Sequence, residues 1–128
     1  MLTKSSITTM LPVSDAERAG HFYADSLGLR QSGAGGDGTL YFEAGSGSIG
    51  LRPMEGGAQS GNTALSFEVS DIQSEISDLE AKGVHFQDYD TEDFKTVGHI
   101  ADMGSERAAW FSDTEGNVLC LHQVVGEG

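Results

Sequence analysis

Cysteine is almost absent: Cys120 is the one thiol in 128 residues. One cysteine cannot close an internal bridge, so a small secreted disulfide scaffold is excluded, and a chain of this length can bury a core without such staples. Basic side chains are also scarce, seven Lys and Arg against twenty Asp and Glu, for a formal charge of −13. That balance repels phosphate backbones and anionic bilayers, so neither nucleic acid nor a membrane is an expected partner. Two readings of the charge stay open, a solvated face suited to solubility in a salt-rich cytoplasm and attraction of a cationic ligand. Long apolar runs are missing as well: "MLTKSSITTMLPVSD" has no stretch of signal-peptide length, and nothing approaches the roughly 20 residues of a membrane span. The expected location is cytoplasmic. Several chemical signatures are lacking too, among them GxxxxGK[ST], HExxH, CxxC and Gly-x-Ser-x-Gly.

What is present is said nearly twice. "LPVSDAERAGHFYADSLGL" (11–29) and "FEVSDIQSEISDLEAKGV" (67–84) share an apolar run, Val-Ser-Asp, an amphipathic segment, and a closing glycine with an apolar residue. Asp15 and Asp71 are natural N-caps, since a carboxylate there accepts from unpaired N–H groups and suits the positive helix end. Helical spacing of Ala16, Ala19, Phe22, Tyr23 and Leu27, and of Ile72, Ile76 and Leu79, gives each helix one apolar stripe, with Gly28 and Gly83 as C-terminal stops. His21 falls beside the first stripe.

Further along, "TLYFEAGSGSIGL" (39–51) parallels "AAWFSDTEGNVLCL" (108–121), each a strand, a turn and a strand. The chain therefore reads as two β-α-β-β-β modules, about 5–55 and 62–125. Expected strands are 7–13, 29–33, 38–43 and 48–53, then 63–69, 84–89, 107–112 and 117–124. A module of about 55 residues is marginal alone by surface-to-volume scaling, so residues 1–128 are expected to form a single domain of α+β class. The second copy carries an insertion, "DYDTEDFKTVGHIADMGSE" (88–106), where the first has only "SGAGGDG". It reads as a surface loop or a binding-site lid, and it carries Phe94, Lys95 and His99.

With its "VSD" helix start, "FYADSLGL" and "WFSDTEGN", this tandem repeat resembles the vicinal oxygen chelate superfamily of glyoxalases, extradiol dioxygenases, bleomycin-resistance proteins and fosfomycin-resistance enzymes. The resemblance implies curved, mostly antiparallel sheets around a concave cavity, helices outside, and a homodimer. It also implies a divalent metal held by His or Gln on a module's first strand and Glu on its last. Those positions fall here on Thr8, Ala64, Gly50 and Cys120, none of them His, Gln, Asp or Glu. No metal and no cofactor are therefore expected, and metal-dependent glyoxalase or dioxygenase chemistry is disfavoured.

Strand alternation extends these positions into an inward face: Thr8, Met10 and Pro12; Ser48, Gly50 and Arg52; Ala64, Ser66 and Glu68; Val118, Cys120 and His122. A one-residue slip would invert any such strand. Phe42 and Phe111 are assigned to the helix side, Tyr41 and Trp110 to the open side. Thr8, Tyr41, Arg52, Glu68, Trp110, Cys120 and His122 are thus the candidate ligand contacts, because rings, small residues and a few charges suit an organic ligand. Trp110 and Tyr41 have faces for a planar or cationic group, or equally for core and interface packing. Arg52 can grip an anion, pair with Glu68 or reach solvent.

Proton transfer or nucleophilic catalysis would fall to His122, Glu68 or Cys120, against the plain alternatives of a hydrogen-bonded histidine, a paired carboxylate and a small buried thiol. His85 and His99 have no partner at recognisable spacing. Two functions follow: a metal-free binder of a small, drug-like and cationic organic molecule, or a lyase, isomerase or oxygenase of the same superfamily. The enzyme would use those three residues or a metal at shifted positions.

Overall fold

The computed structural model describes residues 1–58 and 60–126. Two compact units emerge, one of residues 1–61 together with the turn 114–117, the other of residues 62–113 and the chain from 118 onward. Among the described residues there are two α-helices and nine strands in two mixed sheets, an α+β fold.

In the first unit β1 (Thr8–Val13), β2 (Arg30–Ala34), β3 (Leu40–Ala44) and β4 (Gly47–Pro53) form a sheet of order β1-β4-β3-β2. Only β1 and β4 run parallel. Helix α1 (Ala16–His21) starts where the sequence says it should, with the Asp15 carboxylate accepting from the Arg18 N–H at 3.0 Å. It is shorter than its apolar stripe, because the chain widens at Phe22–Ser26 into a π-helical turn closed by Leu27 N–H to the Phe22 carbonyl at 3.1 Å. The widening still buries Tyr23 completely, 6.2 Å from the Phe42 ring. Leu11, Val13, Ile49 and Leu51 complete this core from the strands.

The second unit repeats the plan with β5 (Thr63–Glu68), α2 (Ile72–Ala81), β6 (Phe86–Gln87), β7 (Ala101–Asp102), β8 (Glu106–Ser112) and β9 (Val118–Val124). The order is β5-β9-β8-β6, with β7 on β8 and β5 parallel to β9. Asp71 caps α2 by accepting from Ser74 N–H, and Gln123 Oε1 accepts from Ile72 N–H at 2.8 Å. Ile72, Ile76 and Leu79 are buried with Phe111, Leu119 and Leu121.

Three expectations need correction. The strand expected over 84–89 is reduced to Phe86–Gln87, because Asp88 and Tyr89 turn their hydrogen bonds to Thr96 and His99 of the insertion. That insertion is not a bare loop: bridges at Asp90–Lys95 and Val97–Ile100 and strand β7 organise it. Ala64 does not occupy the place assigned to it, since a bulge takes the pairing from Thr63–Val118 directly to Leu65–Leu119.

Candidate functional site

Pairing in the first sheet places Thr8 opposite Ser48, Met10 opposite Gly50 and Pro12 opposite Arg52, with Tyr41 across from Gly50 on the other side. These residues have the parity opposite to the buried Leu11, Ile49 and Phe42, so they line the face away from α1. Thr8 is exposed. Arg52 Nε lies 3.9 Å from Asp37 Oδ2, an exposed pair within its own module rather than one with Glu68. Gly50 is buried, and a Cβ there would lie 2.7 Å from Met10 Sδ and 3.1 Å from Tyr41 Cε1. A side chain added here would first meet the flexible, half-exposed end of Met10 and the edge of the Tyr41 ring.

The open face of the second sheet divides into two ends. At one end Trp110 meets Tyr89 and Phe94 edge to face, with ring centroids 5.7 and 5.4 Å away, and Tyr89 and Phe94 are 5.3 Å apart. The geometry suits the quadrupoles of three rings and leaves each partly exposed. Trp110 Nε1 donates to Thr63 Oγ1 at 3.2 Å, so the bulge brings a hydroxyl, not Ala64, onto this face.

At the other end His122 stands between two carboxylates. Nδ1 lies 2.7 Å from Glu68 Oε1 and Nε2 2.6 Å from Glu106 Oε1. A neutral imidazole has one N–H, so bonding at both nitrogens calls for the imidazolium. Hydrogen bonds to Glu106 first and Glu68 second raise the His122 pKa from its ordinary value, which agrees with that reading. With both ring nitrogens committed, His122 is a clamp between Glu68 and Glu106 more than a free base.

Ser66, Cys120 and Ala108 separate the ends with small side chains, Cys120 pairing with Ser66 on one side and Trp110 on the other. Cys120 is buried, its Sγ donates to the Leu121 carbonyl at 3.3 Å, and burial pushes the thiol pKa up, away from the thiolate needed for attack. Of the candidate contacts, then, Glu68, Trp110, Cys120 and His122 share this face, while Thr8, Tyr41 and Arg52 share the corresponding face of the other module.

Metal donors do not fit at the four positions the resemblance singles out. Thr8 is a neutral hydroxyl, the bulge substitutes Thr63 for Ala64, Gly50 has no side chain, and Cys120 stands alone among them. Among the described residues no group of three or more His, Cys, Asp or Glu is disposed to hold a metal ion. Sequence reasoning missed Glu106, Tyr89 and Thr63. Counting back by twos from Trp110 reaches Ala108 and Glu106, so Glu106 was findable; the bulge that presents Thr63 leaves no such mark.

Comparison with known proteins agrees with the fold. No curated protein matches the sequence significantly. An antibiotic-binding protein, TnmS3, of Streptomyces sp. CB03234 superposes with a TM-score of 0.73 at 24% identity, covering 97% of this chain and 98% of that one. A glyoxalase/bleomycin resistance protein from the same Streptomyces gives 0.68 at 25% identity over 93% of this chain and 100% of the other. A lactoylglutathione lyase of Agrobacterium tumefaciens gives 0.70 at 16% identity over 94% and 95%. A family model spans residues 7–121, and by that match the chain belongs to the Glyoxalase/Bleomycin resistance protein/Dioxygenase superfamily.

Proposed function

We propose that the protein is a metal-independent binder of a small organic molecule that combines a planar body with a positive charge. The observation that carries this reading is the second module's open face, where the Tyr89–Phe94–Trp110 rings and the Glu68–His122–Glu106 clamp flank a floor of small side chains. Rings offer stacking and cation–π surface, and the partly exposed carboxylates offer counter-charge. The formal charge of −13 favours encounter with a cation. An antibiotic-binding protein with a similar fold is consistent with a binding role. The lack of a ligating side chain at Gly50 and the buried, protonated thiol of Cys120 argue for binding without metal or nucleophilic chemistry. On this reading the two modules act as one domain, in a cytoplasmic homodimer.

Trp110 is the only tryptophan, so its fluorescence reports on the site directly. Titration with a panel of cationic aromatic drugs that includes bleomycin should give saturable quenching, unchanged by chelation and without product by mass spectrometry. Stoichiometric metal in the native protein, removable with loss of binding or with loss of a measured turnover, would refute the proposal. Light scattering on the eluting protein tests the dimer.

A further inference from the structure

A second concavity lies on the opposite side of the same sheet. Arg107 has the parity of the buried Ala109 and Phe111 and so points to the helix side of β8, not to the face that carries Trp110. On α2, Gln73, Ile76, Ser77 and Glu80 follow helical spacing and form one stripe. Facing that stripe is the tip of the insertion, a two-residue hairpin in which Gly98 and His99 both have left-handed φ, 58° and 71°. Val97 and Ile100 exchange backbone hydrogen bonds of 2.8 and 3.1 Å across it. His99 is held by Asp88 at 2.9 Å and Glu80 at 3.2 Å and stacks on Phe86, which ties the hairpin to α2 and β6. A groove results, with two adjoining hollows of about 390 and 450 Å³ that share Gln73, Val97 and Ile100. Hollows of that size suit a small organic ligand.

The groove brings two cations together on one wall, beside Asp102. Two of the seven basic residues, Lys95 and Arg107, stand at one end. Their ion-pair partners are 3.8 Å away, outside hydrogen-bond distance, and Asp102 already accepts from Gly104 N–H. Exposed pairs at that distance hold their charges weakly. Val97, 83% exposed, and Ile100 supply an apolar wall. We propose that this groove binds a small amphipathic monocarboxylate, its carboxylate at Arg107 and Lys95 and its apolar body along Val97, Ile76 and Ile100. A monoanion is specified because a polyanion would meet Asp102, Glu80 and the acidic field of the chain.

The test is a titration of the full chain, followed by amide chemical shifts, with 4-phenylbutyrate and with 4-phenylbutylamine as the charge-inverted control. The acid should shift the amides of Val97, Gly98, His99 and Ile100 saturably, and the amine should not. Arg107→Gln should weaken the acid at least about tenfold, the value of one charge-assisted hydrogen bond, with Lys95→Gln as the second variant should the first fold poorly. The proposal is overturned if the acid leaves those amides unmoved at millimolar concentration, if acid and amine shift them alike, or if both variants bind as the native chain does. Shifts of the same amides with protein concentration alone would mark a self-association surface and overturn it too. The open face reports through Trp110, so failure of one site is distinguishable from failure of the other.

Discussion

Replacing Glu115 by Gln tests the electrostatic lock at the start of α1. The Glu115 side chain is fully covered, and its two oxygens accept from Ser14 N–H and Oγ, Asp15 N–H, Arg18 Nε and Nη2, and Thr114 Oγ1, at 2.8 to 3.1 Å. Each of these partners is a donor, and an amide nitrogen among them would turn one bond into a clash. The Arg18 hydrogen bond leads the causes that lower the carboxyl pKa from 4.5 to about 2. A shift of that size corresponds to about 3 kcal/mol, reduced to about 2 because the Arg18 end is half exposed and screened by water.

The sign follows from linkage. A depressed carboxylate stabilises above its unfolded pKa, and the contribution is lost as pH falls from about 4.5 through about 2. Thermal unfolding by circular dichroism at pH 7 should place Glu115→Gln about 8 °C below the native chain, at about 4 °C per kcal/mol for a domain of this size. The gap should close toward pH 2, where the native side chain is itself about half protonated and most of the contribution is gone. Equal melting temperatures at pH 7, or a gap that persists undiminished at pH 2, would refute the reasoning.

Three other outcomes are expected. The His122 ring protons, followed by NMR, should titrate above the usual histidine range, and Glu106→Gln should lower the midpoint more than Glu68→Gln; because a raised pKa stabilises below about 6.5, the clamp's contribution should fade as pH rises through the native midpoint. Trp110→Ala should weaken any ligand of the open face by about 1 kcal/mol or more while leaving the groove beside α2 unaffected, as titration calorimetry would detect. Gly50→Glu should push the exposed end of Met10 aside, change stability by no more than about 1 kcal/mol in thermal unfolding, and still fail to bind zinc, nickel or manganese by calorimetry, because Thr8 and Cys120 supply no matching donors.

Much of this was legible beforehand because local rules decided it. Asp15 and Asp71 mark both helix starts, and strand alternation puts Phe42 and Phe111 inside and Tyr41 and Trp110 on the open side. What escaped depends on geometry that a pattern does not carry. The bulge at Ala64 and the π-turn at Phe22–Ser26 each shift a chain by one residue without a proline or an unusual sequence to announce it. Glu115 was hidden for another reason: it serves Ser14, 101 residues away, from a turn whose own sequence reads only as a turn. His99 was noted on the insertion but without a partner, because Asp88 and Glu80 lie 11 and 19 residues before it and only the fold brings them together.

The packing at Gly50 has a consequence for how this chain can change. Restoring a carboxylate there meets the end of Met10 first, and that side chain is flexible and 46% exposed, so one substitution is accommodated by swinging it aside. The rest of the set is further away, since Thr8, the bulge beside Thr63 and the sheltered Cys120 would each need revision before a metal ion had enough donors. Regaining a metal is therefore a matter of several coordinated changes, not of one glycine. On the proposed binding role, variation is open instead to the exposed carboxylates and the rim of the aromatic cluster, where single substitutions would alter charge and ring surface while leaving the sheets intact.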